Sequence, residues 1–238
     1  MIPFGGGEVI GDSPERRVEI LSDDDALNAT WSRFGPGREG ADLHVHRLHH
    51  DLFYVLAGEL TVRLGTEDAT VVVPEGTLAR VPPNVVHGFR NGSDREMRYL
   101  NFHAPGRRFA DYLRAVRDRQ RFSYDQHDPP GDGGRPTSEA VVGGATVVAD
   151  EPGLRVATLT DVEEIAVTET WSEPGPGALR EHESLVSLYV LEGALTIGTD
   201  GRELAAATGT WVQLPPGTPH TLTVTGGPAR FLEIRTPR

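Results

Sequence analysis

The chain has 238 residues, enough to bury a sizeable core in one large or two small β domains, and carries a net charge of −12. That acid excess excludes the basic field that a nucleic acid or an anionic membrane surface would need. There is no Cys and all 23 basic residues are Arg, which excludes disulfides, thiolate nucleophiles, Zn–thiolate sites and catalytic lysines and leaves any metal to His, carboxylate and water.

The first stretch, Met1-Ile2-Pro3-Phe4-Gly5-Gly6-Gly7, has neither the charged nor the apolar part of a secretion signal, and no run approaches the ~20 apolar residues of a membrane span. The expected setting is therefore cytoplasmic, with no membrane partner. Self-comparison of the chain finds a repeat. Val9–Pro14 with Arg17–Leu21 returns as Val147–Pro152 with Arg155–Leu159, and Thr30-Trp31-Ser32 returns as Thr170-Trp171-Ser172. Tyr54–Leu60 then matches Tyr189–Leu195, Pro82–His87 matches Pro215–His220, and Arg98–Leu100 matches Arg230–Leu232. Five matches in one order, at offsets between 132 and 140, point to two copies of one domain.

Within the first copy, Thr61–Leu64, Thr70–Val73 and Thr77–Val81 read as short strands punctuated by Gly and Pro, which suits an antiparallel barrel. One segment has helical periodicity: Phe109, Leu113 and Val116 fall at i, i+4 and i+7, with Tyr112 widening the stripe. Its other face, with Arg107, Arg108, Arg114, Arg117, Arg119 and Arg121, reads as solvated. Asp125–Pro136 is rich in Pro, Gly and Asp and reads as a linker. These readings give an all-β fold of two tandem barrels: a first domain over 1–122 that includes a linking α-helix at 107–121, a linker at 123–142, and a second domain over 143–238.

The stretch Leu43–Asp51 holds four of the nine histidines. His44 and His46 flank a single residue on an extended segment, so both imidazoles face one side, because strand side chains alternate with period two. That is half of a metal site. Downstream, Gly76 precedes Pro82-Pro83-Asn84, His87 and Asn91 at fixed intervals.

Together these stretches resemble the paired motifs of the cupin superfamily. Gly40, His44, His46, Asp51 and Gly58 match the first motif, with Asp in place of its Glu. Gly76, Pro82, His87 and Asn91 match the second, with Asn84 in place of its turn glycine, a mild change because Asn tolerates positive φ. The resemblance implies a bicupin of double-stranded β-helix (jelly-roll) barrels, with one divalent transition metal held by His44, His46, Asp51 and His87 in the N-terminal barrel. Imidazoles and a carboxylate suit Fe, Mn, Ni, Co, Cu or Zn, and the ligand types do not name one. The Asp51 carboxylate is one methylene shorter than that of Glu, so His50, which fits the family's shorter spacing, is the rival fourth ligand; His49 is expected to be exposed.

In the second copy, alignment puts Arg180, His182, Val186 and His220 at the four ligand positions. Arg180, His182 and His220 thus read as a vestigial site that binds no tight metal. Phe53 and Phe89 are expected to line the first barrel's substrate pocket, with Trp31, Phe102 and His103 as further candidates.

A bicupin with one intact site resembles the quercetinase-like dioxygenases, which implies a ring-cleaving oxygenase that takes a small aromatic or enolic substrate and O2, with Asp51 doubling as catalytic base. The alternatives are a metal-dependent isomerase, lyase or decarboxylase, and a non-catalytic small-molecule-binding barrel. No nucleic-acid partner is expected, and a monomer and a homodimer are both compatible with two barrels.

Overall fold

The computed structural model describes residues 1–65 and 69–237. The chain divides into two compact units, one of residues Glu8–Gly144 and one of Met1–Gly7 with Ala145–Arg238.

The first unit runs β1 (Glu8–Asp12), β2 (Arg16–Asp23), β3 (Asn28–Phe34), β4 (Glu39–His44), β5 (His50–Ala57), β6 (Glu59–Leu64), β7 (Ala69–Pro74), β8 (Leu78–Val81), β9 (His87–Arg90), β10 (Met97–Ala104), helix α1 (Phe109–Arg117) and β11 (Val141–Val142). The second runs β12 (Thr146–Glu151), β13 (Leu154–Val162), β14 (Ile165–Ser172), β15 (Leu179–Arg180), β16 (Leu185–Glu192), β17 (Ala194–Thr199), β18 (Arg202–Ala207), β19 (Trp211–Leu214), β20 (His220–Val224) and β21 (Ala229–Thr236).

The first barrel pairs a sheet ordered β1-β2-β3-β10-β5-β8-β11 with one ordered β4-β9-β6-β7, and the second pairs β12-β13-β14-β21-β16-β19 with β15-β20-β17-β18. The same order in both copies bears out the repeat and the tandem-barrel fold. Even an irregularity is duplicated: register slips between Val9 and Gly11 in β1, and between Val147 and Ala149 in β12. Alternation along each strand sends one set of side chains inward. Phe53, Val55, Leu60, Val62, Val73 and Tyr99 fill the first core, and Val186, Leu188, Val190, Leu195, Ile197 and Phe231 the second.

Four sequence expectations change. The helix is shorter than 107–121, and its buried residues are Ala110, Leu113 and Ala115, while Val116 is exposed. Nor is its Arg-rich face simply solvated: Arg114 reaches Glu8 at 2.7 Å and Asp23 at 2.6 Å. Residues 123–142, read as a linker, lie instead along the first barrel, where Val45 bridges His127, Val85 bridges Gly134, and β11 extends the sheet beside β8. Their Pro and Gly content makes the backbone irregular, but hydrogen bonding to barrel carbonyls and amides ties it down. Finally, Ile2 pairs through both backbone groups with Trp211, at 2.8 and 2.9 Å, so the first seven residues join the second barrel. Among the described residues, no helix is long and apolar enough to cross a membrane.

Candidate metal centre

The central residues come from four positions that the topology gathers. His44 ends β4 opposite His87 at the start of β9, and Asp51 on β5 lies between Val81 and His103. The turn before β9 needs a residue at positive φ, and Asn84 supplies it at 66°. Gly40 on β4 is needed for a different reason: a Cβ there would lie 2.3 Å from the Phe89 ring.

His44, His46, Asp51 and His87 are all buried, with one ligand atom from each lying within 4.8 Å of the others. Each imidazole is aimed by a backbone carbonyl. Nδ1 of His44 donates to Asp42 O at 2.7 Å, Nδ1 of His87 to Val85 O at 2.9 Å, and Nδ1 of His46 to the Asp125 carbonyl. This fixes the tautomer, because an imidazole that donates from Nδ1 while neutral presents a lone pair at Nε2. The Nε2 atoms of His44 and His46 are 3.2 Å apart, and that of His87 is 3.2 Å from Asp51 Oδ2. Lone pairs brought this close repel unless a cation sits among them. Metal–nitrogen bonds of ~2.1 Å put neighbouring ligands about 3.0 Å apart in an octahedron and about 3.4 Å in a tetrahedron, so the set fits a divalent transition metal.

Electrostatics favour the same state. Burial lowers His44 to about 3, helped by the neighbouring His87 and His46, so it is neutral and ready to ligate. For Asp51, burial alone would raise the carboxyl, but the facing His103 and the adjoining imidazoles of His46 and His87 outweigh it and hold Asp51 well below the usual carboxylate range. Its Oδ1 accepts from Asn101 Nδ2 at 2.5 Å, leaving Oδ2 toward the imidazoles. The rival ligand His50 faces the other way by alternation along β5, with its ring 3.4 Å from Arg80, and lies outside the cluster.

Sequence reasoning missed a second group beside the first. His49, expected on the surface, is 1% exposed. Its Nδ1 donates to Asp125 Oδ2 at 2.9 Å, and Asp125 also accepts from the Leu48 amide at 2.8 Å and the Arg47 amide at 3.1 Å. Burial brings His49 down to about 4, against the opposing effect of its hydrogen bond to Asp125. Asn101 donates to both Asp51 and Leu52 O, so its Oδ1 accepts from His103 Nε2 at 3.1 Å. His49 Nε2, His103 Nδ1 and the Tyr124 hydroxyl then form a triangle with sides of 2.9, 3.0 and 3.0 Å. With both rings neutral, that triangle holds a single proton, the one on Tyr124, so one more proton can be accommodated there. Tyr124 and Asp125 sit in no motif; only the oddity of an acid and an aromatic inside a Pro/Gly-rich stretch marks them in the sequence.

Beside the cluster lies a cavity of about 300 Å³, lined among others by His44, His46, Asp51, Asn101, His103 and Phe89. Phe34, Phe109 and Tyr112 add aromatic walls, and Thr30, Ser32 and Tyr99 add hydroxyls. Of the expected pocket residues, Phe89 and His103 take that place. Phe53 points inward but lies in the core, 4.9 Å from Phe89. Trp31 and Phe102 sit at the opposite parity from Thr30, Ser32, Asn101 and His103, and so project from the sheet's other face.

In the second barrel, Nδ1 of His220 donates to Thr218 O at 2.9 Å, repeating the His87 arrangement. Arg180, at the position of the first imidazole, pairs with Glu233 at 3.1 Å, and Val186 at the carboxylate position is core. His182 and His220 stand 5.9 Å apart by ring centres, each with a buried Nε2 that has no hydrogen-bond partner. Among the described residues, no group of three ligating side chains converges in this barrel.

The sequence profile described as "Cupin domain" matches residues 30–103 and again 172–235. A search of curated protein sequences found no match. Among solved structures, AerE from Microcystis aeruginosa is similar over 99% of this chain and 98% of its own, with a TM-score of 0.71 and 14% identity. A glyoxylate-induced protein from Pseudomonas aeruginosa gives a TM-score of 0.67 and 18% identity over 95% of this chain and 82% of its own. Oxalate decarboxylase from Bacillus subtilis gives 0.65 and 17% over 99% and 75%. At these identities the likeness is one of fold.

Proposed function

This chain belongs to the cupin domain family, as a bicupin with a buried His/Asp cluster, and from that premise we propose a metal-dependent enzyme whose first barrel moves protons on a small, enolisable substrate. A divalent metal held by His44, His46, Asp51 and His87 would polarise a carbonyl oxygen and so acidify the carbon beside it. The supporting observation is the proton-poor triangle of His49, His103 and Tyr124, joined to Asp51 through Asn101. We assign the His49–His103–Tyr124 triangle, which meets the cavity at His103, to hold the proton that leaves the substrate carbon and to return it. Tyr124 turns its O–H to suit whichever ring is charged, and Asp125 faces that charge through His49. Asp51 has one oxygen on Asn101 and the other among the imidazoles, which suits a ligand better than a base.

Isomerisation, elimination and decarboxylation all draw on such a set. One fold neighbour is an oxalate decarboxylase. The ring-cleaving oxygenase is the second reading, favoured by the aromatic wall of Phe34, Phe89, Phe109 and Tyr112.

The metal-loaded chain incubated anaerobically in D2O with enolisable ketones, oxo acids and 1,3-diketones is expected to exchange the hydrogen beside the carbonyl, as read by NMR. His103→Gln is expected to slow that exchange by about 10²-fold or more at unchanged metal content. O2 uptake matched to loss of a flavonol or diketone, without exchange, would transfer the assignment to the oxygenase. Neither activity across the panel would sink the enzymatic reading.

A further inference from the structure

Arg16 is the feature of the cavity that the metal centre leaves unused. It begins β2 opposite Phe34, with its guanidinium carbon 5.5 Å from the centre of that ring, and among the described residues it is the only basic side chain other than histidine in the lining. Its Nε is buried without a hydrogen-bond partner. Arg33, Arg38, Arg63, Arg80 and Arg230 also have a buried, unpartnered Nε, and Arg80 is turned through another nitrogen to His50 at 3.4 Å. Arg33, Arg38, Arg63 and Arg230 each hold an acidic side chain through another nitrogen, at 3.7, 3.6, 3.8 and 3.1 Å. Arg16 has no such acid among the described residues. Its guanidinium lies over an aromatic face, a place where Arg is well held but unneutralised.

The register places Arg16 relative to the metal centre. Moving along the sheet, Arg16 lies level with Phe34, then Val18 with Ser32 and Tyr99, then Ile20 with Thr30 and Asn101, and finally Asn28 with His103 and Asp51. At ~3.3 Å per residue the end rows are about 20 Å apart. The Arg and Asp side chains span part of that, leaving room for a ligand the length of a substituted ring. The hydroxyls of Thr30, Ser32 and Tyr99 line the wall between the two ends.

We propose that Arg16 anchors a carboxylate, so that the ligand of this barrel is an organic acid with its anionic end on Arg16 and an oxygen-bearing end at His44, His46, Asp51 and His87. This rests on the metal-site reading above. An unpartnered Nε–H is half of the edge with which a guanidinium grips a carboxylate through two parallel hydrogen bonds. A single cation suits a monoanion; a phosphate ester would bring a second negative charge into a lining that already carries Asp42 and Asp51.

The test uses the full chain loaded with zinc and calorimetric titration of matched probes, 4-hydroxyphenylacetate and its primary amide, with cinnamate and glutarate as further acids. The acid is expected to bind at least about tenfold more tightly than the amide. Arg16→Gln is expected to bring the acid down to the amide's affinity and leave the amide unchanged, and Arg16→Lys to keep part of the preference. Unchanged thermal unfolding and zinc stoichiometry show that the variant is folded; Arg16→Met replaces the Gln variant if it is not. Equal affinity for acid and amide, acid binding indifferent to Arg16, or no acid bound at about 10 mM would each overturn the proposal. Tighter, Arg16-dependent binding of 4-hydroxyphenyl phosphate would overturn the carboxylate assignment. If zinc fails to bind while the acid preference persists and needs Arg16, the metal reading falls and the anchor stands; if zinc binds without that preference, the anchor alone falls.

Discussion

Backbone carbonyls, not side chains, aim the three imidazoles of the first barrel, so the ligand set is built into the strand ends. One consequence is that His87→Ala should abolish tight metal binding, as read by metal analysis after dialysis. Asn101→Ala, which removes the donor to Asp51 Oδ1, should weaken metal affinity by about 10- to 100-fold without unfolding the barrel. A second consequence concerns pH. His44 and His49 are lowered by burial to about 3 and about 4, whereas the unfolded chain titrates near 6.5, so between those values the unfolded state binds more protons. The metal-free protein should therefore lose stability as pH falls from about 7.5 to 5, by roughly 2 kcal/mol for each of these two histidines. Denaturant unfolding in the presence of a chelator measures it, and a flat or rising stability would contradict it. At this scale the sequence was informative wherever spacing encodes geometry: His44, His46, Asp51, His87 and Asn84 are readable because a strand period or a turn dictates them. Asn101, Tyr124 and Arg16 are not, because what places them is pairing between strands distant in the chain.

Among the elements, the segment after α1 departs furthest from its sequence reading. A Pro- and Gly-rich composition reports irregular backbone and does not say whether that backbone packs. Asp125 shows that it does, holding the amides of Arg47 and Leu48 and the ring of His49 together. Asp125→Ala should cost about 3 kcal/mol, since several hydrogen bonds to a charged acceptor are lost at once, and should release the loop between β4 and β5. Chemical denaturation measures the first effect and proteolytic cleavage near Arg47 the second. The helix carries a similar lesson. The apolar stripe was legible, but Val116 faces solvent because α1 stops at Arg117 and packs through its first two turns.

Across the whole molecule, duplication preserved the architecture and let the chemistry diverge. Strand order and even a bulge survive in the second barrel, while Arg180 and Glu233 form an ion pair where the first barrel gathers its ligands. The protein should accordingly bind about one equivalent of metal tightly, and Arg180→Ala or His220→Ala should leave that stoichiometry unchanged; a second tight equivalent lost in His220→Ala would refute the assignment.

The pairing of Ile2 with Trp211 sets an order of events during synthesis. Residues 8–144 can close into a barrel while the rest of the chain is still being made, since domains fold largely as units from the N-terminal side. The opening residues cannot settle until Trp211 has emerged. Residues 1–7 are thus among the last to find their place, although residues 8–144, which follow them directly, can settle earlier.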